Sequence, residues 1–454
     1  MPAIRPFALM LLALIPLAGT PSWGMGYADD PFTPTEPTLM RRGTIGVQPG
    51  WGQAPVPGVL LAGVMPDGAA DRAGIRAGDV LVSIGGVETP DGEALSRALQ
   101  GLGEGQDVGV TIHRDGARIE KRVTLGERRL ALPGTEVRYG EVMTPDGYAV
   151  RTILMLPEGR DAAAPGVFFI QGIPCSSIDA MSVADRGLLK CIQDVALAGY
   201  AVLLVDKPGV GDSGGPPCAE LGFDEETRAF GAALRAFKSH PAVDADRVFI
   251  VGISMGGIQA PILAAEEPVA GVAVFGTGFV PWTEYMISNV RRQAALTGAG
   301  PAQINMIADF YAKFWSLLLY ARQHPSEILA AHPELAQVGF TPTDQVSAGR
   351  SVRFFTEMHD SNWSASWSLV DTNVLAMHGT FDFVCARQDH EWIVEVVNTL
   401  SPGAAEFVAL DRMCHGMTVW ESEQQALRTG LGAGEPSDAA TAALLRFFER
   451  AQEE

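Results

Sequence analysis

Positive charge is scarce in this 454-residue sequence. Lysine and arginine number 33 against 53 aspartates and glutamates, which gives a formal net charge of −20. A surface this acidic repels nucleic acid and anionic lipid, so we expect neither as a partner. Charged residues make up 19% of the chain and hydrophobic residues 47%, a composition typical of globular proteins. The length predicts two or three domains.

The sequence also lacks the usual metal and cofactor motifs. The five cysteines include no CxxC pair, so a cysteine zinc site is not expected. His390-Glu391 has no second histidine four residues after the first, which excludes the HExxH zinc motif. Gly209-Val210-Gly211 is too short for a dinucleotide-binding loop. We therefore predict no metal and no cofactor.

Outside the N-terminal region, no stretch is long and apolar enough to span a membrane. Residues 7–18 form an apolar run behind Arg5, and Ser22-Trp23-Gly24 places small residues where a signal peptidase cuts. This pattern predicts a secretory signal over residues 1–24, and a periplasmic or secreted protein with no membrane span after cleavage. The alternative is an uncleaved membrane anchor, for which the run is short.

Residues 25–42 are rich in proline, aspartate and threonine and predict a linker, after which residues 43–127 form a compact β-rich block. Its segments 73–81 (AGIRAGDVL) and 114–116 (RDG) resemble those of bacterial PDZ domains. The resemblance implies binding of a peptide C-terminus or a protein partner through an added strand. The residues that would hold the carboxylate are Thr44, Ile45, Gly46 and Val47. The alternative is a PDZ fold used only for packing or dimerisation.

The sequence pattern changes at residue 134. Continuous runs of valine, isoleucine and leucine then alternate with helix-length segments. Such runs suit strands buried on both faces, so we predict an α/β fold with a doubly wound, mostly parallel sheet over residues 134–454. Residues 281–368 lack such runs and predict a helical cap insertion. Its aromatic side chains could line an apolar acyl pocket or form only the cap's own core; they are Trp282, Tyr285, Phe310, Tyr311, Phe314 and Trp315.

A GxSxG motif, Gly252-Ile253-Ser254-Met255-Gly256, follows the predicted strand RVFIVG and precedes a helical segment. In this setting it resembles the nucleophile elbow of the α/β-hydrolase superfamily, and the resemblance covers residues 134–454. It implies a triad in the order serine, acid, histidine, because a serine hydroxyl needs an imidazole base and the imidazole needs a carboxylate. Asp382 and His415 each follow a predicted strand and fill these roles, with Asp411 and Asp389 as alternative acids.

The same resemblance implies an oxyanion hole made of two backbone N–H groups. One belongs to Met255, the residue after the nucleophile. The other comes from the loop 171–175, where Ile173 is the expected donor because Pro174 has no N–H. Relatives often carry His-Gly where this chain has Gln171-Gly172, a change that leaves a backbone donor intact.

Four cysteines lie at the carboxyl rim of the sheet if the fold is as implied. We therefore predict the disulfides Cys385–Cys414 and Cys175–Cys218, with Cys191 free inside a helix. The alternative is five buried, unpaired thiols.

A second serine stands in a motif of a different enzyme class. The segment 211–215 (GDSGG) spells the peptide around the nucleophile of trypsin-like proteases. Those proteases place their histidine and aspartate upstream of the serine. The histidine upstream of Ser213 is His113, which lies within the PDZ-like block, so we interpret Ser213 as a loop residue.

These observations predict an exported serine hydrolase that cleaves carboxylic esters through an acyl-enzyme. Residues 206–213 and the turn at 145–147 are similar to those of the dienelactone hydrolase and prolyl-oligopeptidase-like branch, so a small-molecule ester or a peptide is the expected substrate. A serine peptidase is the alternative enzyme. The alternative outside enzymes is an inactive hydrolase fold that acts as an adaptor through its PDZ domain.

Overall fold

The structure is a computed structural model, and it describes residues 30–33, 38–50, 54–127, 132–159, 162–178 and 186–453. The predicted signal peptide, residues 1–24, lies outside the described residues, as does part of the predicted linker. Of the helices that the structure describes, none combines the length and the apolar character needed to cross a membrane.

The N-terminal part is a β-rich unit with its own core, which extends from Ile45 to Leu125. Its six-stranded antiparallel sheet consists of β1 (Val47–Pro49), β2 (Val59–Val64), β3 (Val80–Ile84), β4 (Val87–Glu88), β5 (Asp107–Arg114) and β6 (Ala117–Thr124). The helices α1 (Ala69–Arg72) and α2 (Gly92–Gln100) contribute apolar side chains to the core. Asp79 and Arg114, from the two PDZ-like segments, form an ion pair with an Nε–Oδ1 distance of 2.6 Å. The pair joins the start of β3 to the end of β5.

The second unit is built on a larger sheet. The strands that follow along the chain are β7 (Thr135–Met143), β8 (Ala149–Pro157), β9 (Ala164–Ile170), β10 (Ala201–Val205), β11 (Val243–Ile253), β12 (Gly271–Phe275), β13 (Gln345–Ser347), β14 (Arg350–Ser351), β15 (Asn373–Gly379), β16 (Ala405–Leu410), β17 (Thr418–Val419) and β18 (Glu435–Pro436). Eight of them form one sheet in the order β16-β15-β12-β11-β9-β10-β8-β7. β8 pairs antiparallel with β7 and β10, and the other neighbours are parallel.

Helices cover both faces of this sheet, which is why strands such as β10 and β12 are buried along their whole length. The helices of this unit are α3 (Arg186–Leu197), α4 (Phe223–Ser239), α5 (Gly256–Glu266), α6 (Trp282–Leu296), α7 (Pro301–Leu319), α8 (Pro325–Ala331), α9 (Val352–Asp360), α10 (Trp363–Ser366), α11 (Arg387–Leu400), α12 (Glu423–Thr429) and α13 (Ala439–Glu453). Side chains of α3 and α13 pack on one face, and those of α4, α5 and α11 pack on the other. The predicted doubly wound α/β fold is confirmed.

The region between β12 and β15 is mostly helical and contains α6 to α10, together with the short hairpin β13–β14. It has an aromatic core of its own, in which Phe314, Trp315 and Phe355 are fully buried. This helical region is called the cap below.

The described residues of the predicted linker are anchored to the main sheet. Phe32 is 3% exposed and belongs to the core on one face of that sheet. The Glu141 carboxylate accepts hydrogen bonds from the backbone N–H groups of Thr38 and Leu39, each at 2.8 Å. Arg41 forms an ion pair with Asp212 at 2.8 Å. The described residues of this predicted linker are thus held in place by one aromatic side chain and two carboxylates.

Candidate active site

Ser254 stands where the chain turns from β11 into α5. Its backbone φ is +55°, a left-handed conformation that is uncommon for a residue with a side chain. Its N–H donates to the Phe275 carbonyl at 2.9 Å. A Cβ atom added at Gly252 would lie 2.4 Å from the Gly256 carbonyl oxygen, and one added at Gly256 would lie 2.2 Å from that of Ile170. The glycines of the GxSxG motif are therefore required by close backbone approach at this turn.

Asp382 and His415 lie on neighbouring loops, after β15 and β16. The imidazole Nδ1 is 2.9 Å from Oδ2 of Asp382, whose Oδ1 accepts hydrogen bonds from the N–H groups of Val384 and Cys385 at 2.8 and 2.9 Å. Burial by itself would raise the pKa of the Asp382 carboxyl, but the charge and hydrogen bond of His415 lower that pKa to about 2. The carboxylate is therefore ionised at neutral pH and fixes the orientation of the imidazole.

The two alternative acids are placed differently. Oδ1 of Asp389 accepts hydrogen bonds from the backbone N–H groups of Phe279 and Val280 at 3.1 and 3.3 Å, and burial raises the pKa of this carboxyl. Asp411 is exposed at the surface. Of the three candidates, Asp382 is the one hydrogen-bonded to Nδ1 of His415.

Ser254 and His415 line the same cavity, which has a volume of about 300 Å³. Met255 and Ile173 line it as well. Among the residues that the structure describes, no carbonyl accepts a hydrogen bond from the N–H of Met255 or of Ile173. The predicted nucleophile, base and oxyanion residues therefore line one cavity.

The wall of the cavity is largely apolar. Residues from the loops and helices of the main unit that contribute to it are Leu188, Ile258, Val280, Val384, Met417 and Leu431. The cap adds Trp282, Tyr285 and Trp363, whereas Phe314 and Trp315 are buried in the cap's own core. Some aromatic residues of the cap thus line the cavity, and others form the cap's own core.

One of the two predicted disulfides is present and the other is not. Cys175 is bonded to Cys218, whereas Cys385 and Cys414 are free and buried, as is Cys191 in α3. The prediction of a Cys385–Cys414 bridge is therefore wrong. Sγ of Cys385 lies 2.9 Å from the Gly276 carbonyl oxygen, and Sγ of Cys414 lies 3.3 Å from the Thr418 hydroxyl. Each thiol therefore contacts a different polar group. Both cysteines lie near the rim of the sheet, but this position does not fix the direction of their side chains.

Removing the Cys175–Cys218 bridge is expected to lower the free energy of unfolding by about 2–4 kcal/mol, since it cross-links residues 43 positions apart. The experiment is urea unfolding of the wild type and of the Cys175→Ser/Cys218→Ser variant, each with and without reductant. The Cys191→Ala variant is the control, because it loses a buried thiol that forms no disulfide. Reductant should lower the midpoint of the wild type and of the control but leave the double variant unchanged. An equal midpoint for oxidised and reduced wild type would contradict the prediction.

His390 is a buried histidine for which the sequence predicts no role, since it lacks the second histidine of a zinc motif. It is fully buried at the start of α11, where Nε2 accepts the N–H of Thr277 at 3.1 Å and Nδ1 lies 2.9 Å from the Ala386 carbonyl. These partners require the neutral imidazole, and burial lowers the pKa of His390 to about 3. The histidine therefore fixes the segment after β12, which contributes Gly278 and Val280 to the cavity.

Protonation of His390 is expected to couple stability to pH. The pKa rises from about 3 in the folded state to 6.5 in the unfolded state, so the unfolded chain binds more protons between these values. The free energy of unfolding should therefore fall as pH is lowered through this window, by about 1.4 kcal/mol per pH unit from this residue. Urea unfolding of the wild type and His390→Gln at pH 7.5, 6.5 and 5.5 measures the difference in slope, and equal slopes would contradict the assignment.

Ser213 is part of the scaffold beside the site. It is 2% exposed, and its hydroxyl oxygen accepts the Arg151 N–H at 2.8 Å while the hydroxyl donates to the Asp206 carbonyl at 3.1 Å. The bond with Arg151 ties the loop after β10 to β8, and the bond with Asp206 lies within that loop. Ser213 does not line the cavity that contains His415.

The predicted carboxylate loop of the PDZ unit is partly engaged within the protein. The N–H of Thr44 donates to Gly126 at 2.8 Å, and the N–H of Gly46 lies 3.2 Å from the Thr44 hydroxyl. Ile45 is buried in the core, and Val47 pairs with Val64 between β1 and β2. Residues 44–47 thus lead into β1, and the N–H groups of Thr44 and Gly46 already donate hydrogen bonds within the protein.

Two family models match the chain. Residues 187–422, more than half of it, match the serine aminopeptidase S33 family, and residues 61–112 match a PDZ domain. The chain belongs to the serine aminopeptidase S33 family. This S33 protein is accordingly a serine hydrolase with the α/β-hydrolase fold and an N-terminal PDZ domain.

Curated relatives match only part of the S33 protein. It is 36% identical over 69 residues to a probable periplasmic serine endoprotease DegP-like of Ectopseudomonas mendocina, which covers 15% of each chain. It is 30% identical over 168 residues to a protein of the same description from Brucella suis, which covers 33% of this chain and 30% of the relative. The chain therefore spans less than a third of the length of these relatives.

Solved structures similar to the S33 protein include both peptidases and esterases. The acylaminoacyl peptidase of Pyrococcus horikoshii is 13% identical, with a TM-score of 0.45 and coverage of 76% of this chain and 46% of that one. An esterase from Exiguobacterium antarcticum is 16% identical, with a TM-score of 0.39 and coverage of 68% of this chain and 98% of that one.

Proposed function

We propose that the S33 protein is an exported hydrolase that cleaves carboxylic esters of apolar acyl groups. Ser254 Oγ attacks the ester carbonyl carbon while Nε2 of His415 accepts the hydroxyl proton. The N–H groups of Met255 and Ile173 donate to the tetrahedral oxyanion. As the intermediate collapses, the leaving alcohol takes the proton from His415 and the acyl group stays on Ser254. Water then attacks the acyl-enzyme with His415 again as base, and releases the carboxylic acid.

The observation that carries this proposal is the hydrogen bond between His415 and the buried Asp382 at the wall of a cavity that also contains Ser254. Asp382 holds the imidazole with Nδ1 as the donor, which leaves Nε2 free to act as base. An adaptor would need neither the ionised carboxylate nor the turn at Ser254 with its positive φ.

The cavity favours an ester with an apolar acyl group over a peptide with a free N-terminus. Among the described residues that line it there is no aspartate, glutamate, lysine or arginine. An aminopeptidase has to bind the ammonium group of its substrate, and an ammonium removed from water needs an acidic partner. A serine peptidase is the second candidate, because the matching family is described as serine aminopeptidases.

Two further parts of the proposal concern export and the PDZ domain. The Cys175–Cys218 disulfide supports an oxidising compartment, as does the apolar run at residues 7–18. The PDZ domain is proposed to hold a peptide C-terminus or a protein partner through its loop at residues 44–47, and so to bring the hydrolase to its substrate.

Hydrolysis of nitrophenyl acetate, butyrate and hexanoate should be compared with that of alanyl and dipeptidyl nitroanilides, with Ser254→Ala as the blank. We expect the esters to be preferred, and each added CH₂ to raise kcat/KM by up to about 4-fold, since burying a CH₂ is worth about 0.8 kcal/mol. Faster cleavage of the anilides would identify a peptidase. Turnover of neither class by folded protein would favour the adaptor.

A further inference from the structure

A buried lysine contacts the loop that carries one oxyanion donor. Lys207 lies two residues beyond the end of β10, and its side chain is completely buried. The ammonium Nζ donates a hydrogen bond to the Gly172 carbonyl oxygen. It also lies 3.6 Å from Oε1 of Glu226 on α4.

The carboxylate of Glu226 is shared with a second cation. Its other oxygen pairs with Nη2 of Arg350, a cap residue in β14, and both side chains are completely buried. Nη1 of Arg350 also contacts Sγ of Cys218 at 2.6 Å and Sγ of Cys175 at 3.1 Å. Arg350 alone is thus sufficient to neutralise Glu226. Lys207 adds a surplus positive charge to the cluster, and that charge is directed at the Gly172 carbonyl.

Burial makes this charge costly for the protein. It lowers the pKa of the Lys207 ammonium to about 8, although the nearby Glu226 carboxylate opposes the shift. A methionine of similar length would fill the same space without a desolvation cost. What a lysine provides and a methionine would not is the contact with Glu226 and the hydrogen bond to the Gly172 carbonyl.

The Gly172 carbonyl and the Ile173 N–H belong to the same peptide unit. None of the described peptide bonds is cis, so the unit is trans and planar, and its C=O and N–H point in opposite directions. A Cβ atom added at Gly172 would lie 3.2 Å from Cβ of Ser254, and Ile173 lines the cavity with that serine. Because the Gly172 carbonyl oxygen faces the ammonium of Lys207, the Ile173 N–H points away from that ammonium.

We infer that Lys207 is a positioning residue that orients and polarises the peptide unit whose Ile173 N–H stabilises the oxyanion. A cation on the carbonyl oxygen withdraws electron density from the amide and strengthens its N–H as a donor. Lys207 does not touch the reacting atoms. The inference rests on the proposed function, because it requires an oxyanion at this site.

The test is the Lys207→Met variant, assayed with the best nitrophenyl ester and with a trifluoromethyl ketone, which forms an oxyanion on the catalytic serine. We expect kcat to fall about 10- to 100-fold, which is at most the fall seen when a whole oxyanion donor is removed. KM should change less than about 3-fold. The inhibition constant of the ketone should rise by the same factor as kcat falls. Lys207→Met relieves a buried charge but also removes the donor to the Gly172 carbonyl, so the thermal midpoint is measured alongside and activity is compared only where the variant is folded.

Lys238→Met is the matched control, since this half-buried lysine on α4 also donates to a backbone carbonyl, that of Pro268. Lys207→Gln provides a second variant, which keeps a neutral donor and should lose less activity than Lys207→Met. A kcat within 3-fold of the wild type in folded Lys207→Met, a larger loss in folded Lys207→Gln than in Lys207→Met, or a change in KM alone would overturn the inference. Wild-type protein that neither turns over substrate nor reacts with a fluorophosphonate would overturn the proposed function, and this inference with it.

Discussion

Replacing Ser254 by alanine is expected to lower kcat for ester hydrolysis by at least about 10⁴-fold while the protein remains folded. In the proposed mechanism the hydroxyl is the part of the residue that takes part in the chemistry, and alanine occupies the backbone position with φ of +55° at a cost similar to that of serine. The measurement is steady-state kinetics with nitrophenyl butyrate, together with the thermal midpoint of both proteins.

The matched control is Ser213→Ala, in the segment that has the sequence of a trypsin-like nucleophile. This variant loses two buried hydrogen bonds, to Arg151 and Asp206, so its stability should fall by about 1–3 kcal/mol. Its kcat should stay within a few-fold of the wild type. Loss of turnover in Ser213→Ala, with retention in Ser254→Ala, would reverse the assignment of the nucleophile.

Replacing Asp382 by asparagine is expected to lower kcat by about 10³- to 10⁴-fold. An asparagine keeps the size of the side chain but cannot stabilise the imidazolium, and it favours the wrong tautomer of His415. Because the pKa of the Asp382 carboxyl is about 2, the carboxylate stays ionised throughout the pH range of an assay. The acid limb of the wild-type pH profile therefore does not report this group.

Two other carboxylates serve as controls for Asp382. Asp411 is exposed, and Asp411→Asn should leave kcat unchanged. Asp389→Ala removes a buried acceptor of the Phe279 and Val280 N–H groups, so it should lower stability more than it lowers kcat. A larger loss of kcat in either control than in Asp382→Asn would show that the acid has been wrongly chosen.

The elbow at Ser254 is predictable from the sequence because its cause is local. A strand, a turn with close backbone approach and a helix follow one another within a short segment, and the glycines at 252 and 256 are needed by contacts within that turn and with β9. Asp382 and His415 are distant in sequence, but each follows a buried strand. Parallel strands bring their carboxyl ends to one edge, so the order of strands places the loops together.

Side-chain direction and long-range charge pairing are not predictable in this way. Cys385 and Cys414 both lie beside the site, yet their thiols contact different partners, Gly276 and Thr418. The pairing of Arg350 with Glu226 spans 124 positions and depends on how the cap meets α4. Phe32 gives no signal within a proline-rich segment, although its ring is buried in the core of the main unit.

The assignment of Ser254 as nucleophile is tested most directly by labelling the folded protein with a fluorophosphonate and mapping the modified peptide by mass spectrometry. We predict one modification, at Ser254, and none in Ser254→Ala. Modification at Ser213, or the absence of any modification in folded wild-type protein, would contradict it.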